Sequence, residues 1–154
     1  MTKVIGLISD THGLMRPEAL EALRGSDIII HAGDVGRPDV LGPLMAIAPV
    51  FAVRGNVDGG AWATSLPEAE NLSFGGHSLH VLHILGELAI DPVTTGISAV
   101  ISGHTHKPLV EVKDGVLYVN PGSAGPRRFR LPVTVGRLTV QDGQLRPEII
   151  ELTV

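Results

Sequence analysis

The sequence predicts an α/β fold in which two β-sheets pack face to face with helices on the outside, an αββα sandwich. In the first half of the chain, strand-like and helix-like segments alternate, which is typical of parallel βαβαβ units. In the second half, strand-like segments follow one another across glycine-containing turns, which favours antiparallel pairing. The 154 residues contain no repeat, low-complexity tract or linker, so we expect one domain over residues 1–154.

The first half is expected to contain three buried strands and two helices. Three consecutive isoleucines mark the second strand, and Gly25 follows the first helix at the position where helices commonly end. Gly42 and Pro43 weaken the second helix. The predicted elements are, in order, a strand over 3–9, a helix over 17–24, a strand over 27–31, a helix over 38–47 and a strand over 49–54.

The second half is expected to contain seven strands and one short helix. Three turns predict hairpins: Gly75-Gly76-His77, Lys113-Asp114-Gly115 and Asp142-Gly143. The predicted strands cover 71–74, 78–83, 99–102, 109–112, 116–120, 133–140 and 144–152, and the helix covers 87–95.

Composition and charge exclude several function classes. The chain is 44% hydrophobic but only 3% aromatic, which indicates an aliphatic core. Its net charge is −4 and its longest basic run is Arg127-Arg128, so we expect no bulk nucleic-acid partner. The chain has no cysteine, which excludes disulfides and thiolate chemistry. No apolar run reaches the roughly 20 residues that span a bilayer, and the N-terminus does not match a signal peptide. We therefore expect a cytoplasmic protein without membrane contact.

Side chains that commonly bind metals follow the predicted C-terminal ends of five strands. Ligands of open α/β sheets bind outside these ends, so the side chains can converge there. Glycines next to them allow sharp turns and close approach. The residues are Asp10, His12, Asp34, Asn56, Asp58, His83, His104 and His106.

The residue types in this set predict a two-metal hydrolytic site. Four imidazoles and two carboxylates suit borderline divalent metals such as Mn, Fe, Co, Ni or Zn. Two dications beside two aspartates would leave a charge of about +2, which attracts phosphate and stabilises charge developing at phosphorus. Metal-bound water can supply hydroxide near neutral pH. The same charge and spacing also allow a carboxylate or another ester as substrate.

Six motifs resemble those of the calcineurin-like metallophosphoesterases, specifically their short single-domain bacterial and archaeal phosphodiesterase branch. The motifs are Asp10-Thr11-His12, Gly33-Asp34, Gly55-Asn56-Val57-Asp58, His83, Gly103-His104-Thr105-His106 and Asn120-Pro121-Gly122-Ser123.

The resemblance implies the two-sheet metallophosphoesterase sandwich and a dinuclear phosphodiesterase. It implies that a metal-bound hydroxide cleaves a small phosphodiester, with two divalent ions, manganese first and Ni, Co, Fe or Zn as alternatives. It further implies that Asp34 bridges the two metals. The first metal site is implied to contain Asp10, His12, Asp34 and His106. The second is implied to contain Asp34, Asn56, His83 and His104.

Two positions depart from the family pattern. Val57 stands where many members have a histidine that serves as general acid or phosphate contact, although the short branch commonly lacks it. Ile84-Leu85 follows His83 where the branch usually continues Gly-His. Separately, we assign catalytic roles to His83 and Asp58, and Asp58 is expected to orient an imidazole or Asn56.

Each motif taken alone has a structural alternative. Asp10 and Asp34 could be cap or loop residues, and Asn56, Asp58 and the His104–His106 pair could lie in surface turns. His31, His77 and His80 are interpreted as structural, and 120–123 as a support for the metal-site loops. Arg127-Arg128 is interpreted as a solvated turn, with phosphate contact as the alternative.

The main functional alternative is a binding module. The eukaryotic retromer subunit of this fold resembles a family member that has become a scaffold with a weakened metal site. All four histidine ligands are present here, which favours the enzyme. An exposed strand edge could mediate a homodimer.

Overall fold

Two five-stranded β-sheets lie face to face in the computed structural model, which describes residues 2–154. The first sheet has the strand order β10-β9-β1-β2-β3 and the second has the order β4-β5-β6-β8-β7. The predicted sandwich is therefore confirmed. The strands are β1 Thr2–Ile8, β2 Ile28–His31, β3 Val50–Ala52, β4 Ala69–Phe74, β5 His77–Leu82, β6 Ala99–Ile101, β7 Leu109–Lys113, β8 Val116–Asn120, β9 Thr134–Gln141 and β10 Gln144–Glu151.

Each sheet contains three parallel strands. In the first sheet β1, β2 and β3 are parallel, as the alternating pattern predicts, and β9 and β10 extend the sheet antiparallel. In the second sheet β5, β6 and β8 are parallel, and only the edge strands β4 and β7 pair antiparallel. The predicted antiparallel C-terminal half is thus wrong for the centre of this sheet, because long crossovers join strands that are not hairpin partners.

Two short helices cover the outer face of the first sheet. Helix α1 spans Pro17–Leu23, and helix α2 spans Leu41–Met45 after a 3₁₀ turn over Pro38–Val40. Both predicted helices are present, although the second is shorter than 38–47. Their apolar side chains, including Leu23 and Leu44, pack against the back of the sheet.

The helix predicted over 87–95 is wrong. A 3₁₀ turn over Leu85–Glu87 is followed by irregular chain. The Asp91 carboxylate accepts the amide of Val93 and its carbonyl accepts that of Thr95, which organises only a local turn around Pro92. Apolar residues of the segment still pack on the outer face of the second sheet. This sheet is therefore covered mainly by irregular chain.

The three predicted hairpins form with tight turns. Both central residues have positive φ in the pairs Gly75-Gly76, Asp114-Gly115 and Asp142-Gly143, between 52° and 83°. Such backbone matches the right-handed twist of the flanking strands, and it is available to glycine and tolerated by aspartate. The turn residues therefore fix these connections from local sequence.

An aliphatic core between the sheets holds the parallel strands in place. Ile5, Leu7, Ile30, Leu79 and Ile101 are fully buried there. The loops that follow β1, β2, β3, β5 and β6 carry the predicted metal ligands, and the core positions them against one another. Within residues 2–154, none of the helices has the length and hydropathy needed to cross a bilayer.

Candidate metal centre

The loops after five strands bring the predicted ligands into two adjoining clusters. In each cluster the ligand atoms lie within 4.8 Å of one another. One cluster consists of Asp10, His12 and His106, and the other consists of Asp34, His83 and His104. The predicted convergence is therefore present in the fold.

The two carboxylate oxygens of Asp10 have different surroundings. Its Oδ2 accepts hydrogen bonds from the Ser9 hydroxyl at 2.6 Å and from the amide of His104 at 3.0 Å. Its Oδ1 is buried without a hydrogen-bond partner, 3.3 Å from Nε2 of His106 and 3.8 Å from Nε2 of His12 and of His83. Ser9 was not among the predicted site residues, and only its position next to Asp10 could have identified it.

Asp34 lies between the two clusters. Its Oδ2 is 3.1 Å from Nε2 of His83 and 3.7 Å from Nε2 of His12, while its Oδ1 accepts the amide of Val57 at 3.0 Å. Burial raises the pKa of this carboxyl, but His83 and the Val57 amide outweigh it, so the pKa lies below its usual range. Asp34 is therefore an anion held within reach of histidines from both clusters.

His83 directs its free nitrogen at the acidic groups. Its Nδ1–H donates to the carbonyl of Ala32 at 2.7 Å, which leaves the Nε2 lone pair facing Asp34. Burial alone would lower the pKa of His83, but Asp34, the Ala32 carbonyl and Asp10 raise it above its usual value. A lone pair facing a carboxylate requires a cation between them, either a proton or a metal.

The remaining ligands form the opening of the site. His104 and Asn56 are exposed and lie 3.1 Å apart, from Nδ1 to Oδ1, and His12 is half-buried. Nε2 of His12 is 3.3 Å from Nε2 of His106. Burial lowers the pKa of His106, and the positive charge of Arg128 adds to this against the opposing effect of Asp10. The centre is therefore closed at Asp10 and Asp34 and open at His104 and Asn56.

The chemistry of these side chains fits divalent metal ions. Among residues 2–154, Oδ1 of Asp10 and Nε2 of His83 are buried without hydrogen-bond partners, and such orphaned atoms are costly unless an ion satisfies them. Imidazole and carboxylate together suit the borderline dications.

Strained backbone is concentrated at the same residues. Five of the eight non-glycine residues with positive φ among residues 2–154 are candidate ligands, with φ between 46° and 73°. Each such conformation costs on the order of 1–3 kcal/mol, and a fold retains it where the surrounding structure over-determines it. The five are Asp10, His12, Asp34, His104 and His106.

Asp58 ties together the loops after β2 and β3. Its carboxylate accepts the amides of Gly55 at 2.8 Å, Gly36 at 2.9 Å and Val35 at 3.2 Å. These three bonds occupy both oxygens, so its side chain orients backbone rather than the imidazole or amide that the sequence analysis assigned to it. Asp58 holds the loops that carry Asp34 and Asn56.

His31, the buried last residue of β2, supports the loops of the site as a structural residue. Its Nδ1 accepts the amide of Gly33, which places the proton on Nε2, and Nε2–H donates to the Thr11 hydroxyl. Thr11 in turn donates to the carbonyl of Val35. Burial lowers the pKa of His31 to about 4, against the opposing charge of Asp58. The sequence contained no signal for this network except the adjacency of His31 to Gly33-Asp34.

The depressed pKa of His31 predicts acid sensitivity of the metal-free fold. The pKa is about 4 in the folded state and 6.5 in the unfolded state, so the unfolded chain binds more protons between these values. The free energy of unfolding should therefore fall by about 3 kcal/mol as the pH falls from 6.5 to 4. Urea titrations across this range in wild type and His31→Gln should show a smaller decrease in the variant. Equal pH dependence in both proteins would contradict the assignment.

The segment after β8 supports the metal-site loops, as expected. The Asn120 amide donates to the Gly103 carbonyl and the Thr105 hydroxyl, and the Ser123 hydroxyl donates to the Asp10 carbonyl. His77 and His80 bond away from the site, to Ser98 and Gly143 and to Asn71 respectively.

Two grooves meet at the open side of the centre. One, of about 460 Å³, includes Asn56, His83 and the ion pair of Arg54 with Glu68. The other, of about 400 Å³, begins at His104 and is mostly apolar. Ile84 lines both grooves. The residues after His83 are therefore Ile84 and Leu85, with hydrocarbon side chains, at the two positions where the sequence pattern discussed above usually has glycine and histidine.

Sequence and structure comparisons agree with this geometry. The model of the calcineurin-like phosphoesterase superfamily domain matches residues 4–143. The chain is 34% identical to the "Probable metallophosphoesterase" of Methanothermobacter thermautotrophicus, over 96% of this chain and 91% of that protein. A solved archaeal phosphodiesterase is similar with a TM-score of 0.79 at 24% identity, over 96% of this chain and 99% of that one.

A second solved structure is similar over nearly the whole chain. It is Vps29 of Entamoeba histolytica in complex with zinc, with a TM-score of 0.74 at 21% identity, over 97% of this chain and 99% of that one. At identities below 25%, the two solved structures show a shared fold.

Proposed function

Because this chain belongs to the calcineurin-like phosphoesterase superfamily, a family of hydrolases, we propose that it is a dinuclear, metal-dependent phosphodiesterase. The observation that carries the proposal is the complete ligand set, converging around buried oxygen and nitrogen atoms that have no protein partner. Manganese is the expected metal, with Ni, Co, Fe or Zn as alternatives.

The proposed metal ligands divide between two ions. Asp10, His12 and His106 would hold the first, and His83 and His104 the second with Asn56, while Asp34 would serve both. Bound dications would supply a hydroxide nucleophile near neutral pH and stabilise charge on the phosphoryl oxygens. In the reaction one water oxygen joins phosphorus, the P–O bond to the leaving group breaks, and the leaving oxygen takes a proton.

The chain's own residues would orient these groups. Ser9 and the His104 amide hold Asp10 so that only Oδ1 faces the site. The Ala32 carbonyl fixes the tautomer of His83, and the Val57 amide fixes Asp34. We assign Asp58 the role of a positioning residue, because its three backbone contacts fix the loops that carry Asp34 and Asn56.

Removal of metal should abolish hydrolysis. Protein treated with a chelator and desalted should not cleave methyl p-nitrophenyl phosphate, and Mn, Co or Ni should restore the rate better than Mg, since imidazole-rich sites favour these ions. Because the metals would also satisfy the buried orphan atoms, Mn should raise the melting temperature of the metal-free protein. Full activity in metal-free protein would falsify the proposal.

The valine at position 57 predicts that the rate of diester hydrolysis depends strongly on the leaving group. A positioned general acid typically contributes about 10²–10⁴-fold, and this exposed valine cannot donate a proton. Nitrophenyl diesters should react well and alkyl diesters slowly, and the rate should rise with pH and then level off. Val57→His should accelerate alkyl diesters more than nitrophenyl diesters, with Val57→Asn as the control for a polar side chain. A bell-shaped profile with little leaving-group dependence would indicate another acid.

The alternative is a scaffold of the same fold with little catalysis. The ligand geometry favours the enzyme, since each predicted ligand residue lies at the clusters or on their rim. Titration of the metal-free protein with Mn distinguishes the enzyme from the scaffold. The proposed enzyme should bind two equivalents of Mn, and its activity should increase as they bind. We propose a small phosphodiester as substrate and a cytoplasmic location.

A further inference from the structure

A cationic groove adjoins the metal centre on the side of His106. Its outer wall is the turn of residues 126–131, which we call the arginine turn, and its inner wall belongs to the loop that carries His104 and His106. The groove has a volume of about 610 Å³. Its lining residues are Thr105, Lys107, Arg128, Phe129, Arg130 and Leu131.

The cations of this groove have no acidic partners. Among residues 2–154, the lining residues Lys107, Arg128 and Arg130 and the neighbouring Arg127 make no ion pair; five basic residues elsewhere do, and three do not. The sequence contains no Asp or Glu from 115 to 141, although the chain as a whole carries a net charge of −4. Uncompensated positive charge in an acidic protein creates a local field that attracts anions.

Phe129 projects from the same turn into solvent. Its side chain is 90% exposed, and it is one of only five aromatic Phe, Trp or Tyr residues in the chain. Its φ of 54° is unfavourable for a bulky residue. The Arg128 carbonyl accepts the amide of Leu131, and this bond closes the turn that displays the ring. An exposed ring on strained backbone between two arginines has no role in the core.

The base of the arginine turn is fixed to the metal centre. The Ser123 hydroxyl donates to the Asp10 carbonyl, and Arg16 donates to the Gly125 carbonyl at 3.2 Å. Gly125 lies directly against the carbonyls of Asp10 and Thr11, where a Cβ would not fit. The backbone from which the arginine turn projects is therefore fixed beside the metal centre.

We infer that the arginine turn binds the arm of the substrate that remains on the phosphoryl group, and that this arm is a nucleoside bearing a second phosphate. The flat face of Phe129 would stack on the base, as aromatic side chains do on unpaired bases. Arg128, Arg130 and Lys107 would contact the second phosphate through charge-assisted hydrogen bonds. The inference rests on the proposed phosphodiesterase function and names its substrate class.

Three diesters with one leaving group test this selectivity. They are methyl p-nitrophenyl phosphate, thymidine 5′-(p-nitrophenyl phosphate), and the latter carrying an additional 3′-phosphate. Since the leaving group is constant, differences in kcat/KM report on the retained arm alone. In wild-type protein loaded with Mn, kcat/KM should increase from the methyl diester to the thymidine diester to its 3′-phosphorylated form, chiefly because KM decreases.

Variants of the arginine turn should reduce these preferences separately. Phe129→Ser should lower the preference for thymidine over methyl by about tenfold, and Phe129→Tyr should retain it. Arg128→Gln and Arg130→Gln should lower the additional preference for the 3′-phosphate, and added salt should mimic them. Arg146→Gln, which removes an exposed and unpaired charge on β10, is the matched control and should change neither preference.

Equilibrium binding tests the inference independently of catalysis. Thymidine 3′-phosphate offers the base and the second phosphate but puts no phosphate against the carboxylates of Asp10 and Asp34. It should bind the metal-free protein in calorimetry, more weakly after Phe129→Ser or Arg128→Gln and equally after Arg146→Gln. Unchanged affinity and unchanged substrate preferences in the turn variants would overturn the inference while leaving the phosphodiesterase proposal intact. If wild type cleaves none of the diesters, the proposed function fails, and the calorimetry still decides whether the groove binds a nucleotide.

Discussion

Replacing Asp34 by asparagine should remove both metals from the purified protein and abolish diester hydrolysis. Oδ2 of Asp34 lies 3.1 Å from Nε2 of His83 and 3.7 Å from Nε2 of His12, so this carboxylate lies within reach of both clusters. An amide keeps the shape but loses the negative charge. Metal affinity should fall by at least about 100-fold, because even groups outside the ligand set typically cost 10–100-fold.

The fold should tolerate this substitution, which makes the metal content interpretable. The φ of Asp34 is 55°, and asparagine accepts this conformation about as well as aspartate. His12→Gly is the matched comparison, because it removes one imidazole at a residue that also has positive φ and should lower the occupancy of mainly one ion. Elemental analysis after desalting measures both. Two tightly held equivalents in Asp34→Asn would show that this carboxylate does not bridge.

Gly55→Ala should disrupt the site and the fold around it. A Cβ at this position would collide with the backbone nitrogen and the Oδ1 atom of Asp34. Both atoms are fixed, since Oδ1 accepts the Val57 amide and the loop after β2 is held by Asp58. We expect a loss of about 1–3 kcal/mol in the free energy of unfolding, together with loss of tightly bound metal.

Gly59→Ala is the control for Gly55→Ala. Neither glycine has positive φ, and a Cβ at the exposed Gly59 would meet no atom of the described residues within 4 Å apart from its chain neighbours, so the control lacks the collision with Asp34. Urea unfolding and metal analysis of both variants measure the effect. If Gly55→Ala unfolds like Gly59→Ala and keeps its metal, the loops after β2 and β3 do not approach as closely as the structure places them.

Local sequence determined the strands, their turns and the ligand set. An apolar run such as the one that forms β1 predicts a buried strand before its neighbours are known. The hydrophobic effect is not directional, so any apolar partner removes the run from water. The Asp114-Gly115 and Asp142-Gly143 pairs fix hairpins through their own backbone preferences. Polar residues at strand ends predicted a metal centre because parallel strands bring their carboxyl ends to one edge.

Tertiary structure alone decided which strands pair and which polar groups support the site. The central strands β5, β6 and β8 are parallel, because pairing between strands distant in sequence outweighs the local hairpin pattern there. After the 3₁₀ turn over Leu85–Glu87, the chain up to residue 95 is irregular in place of the predicted helix, and its apolar residues pack on the second sheet. Asp58 acts through backbone amides of the loop after β2, and His31 acts through the Thr11 hydroxyl of the loop after β1. The arginine turn gains its position beside His106 through Ser123 and the Asp10 carbonyl. Such relations join residues far apart in the chain, and only the packed core brings them within bonding distance.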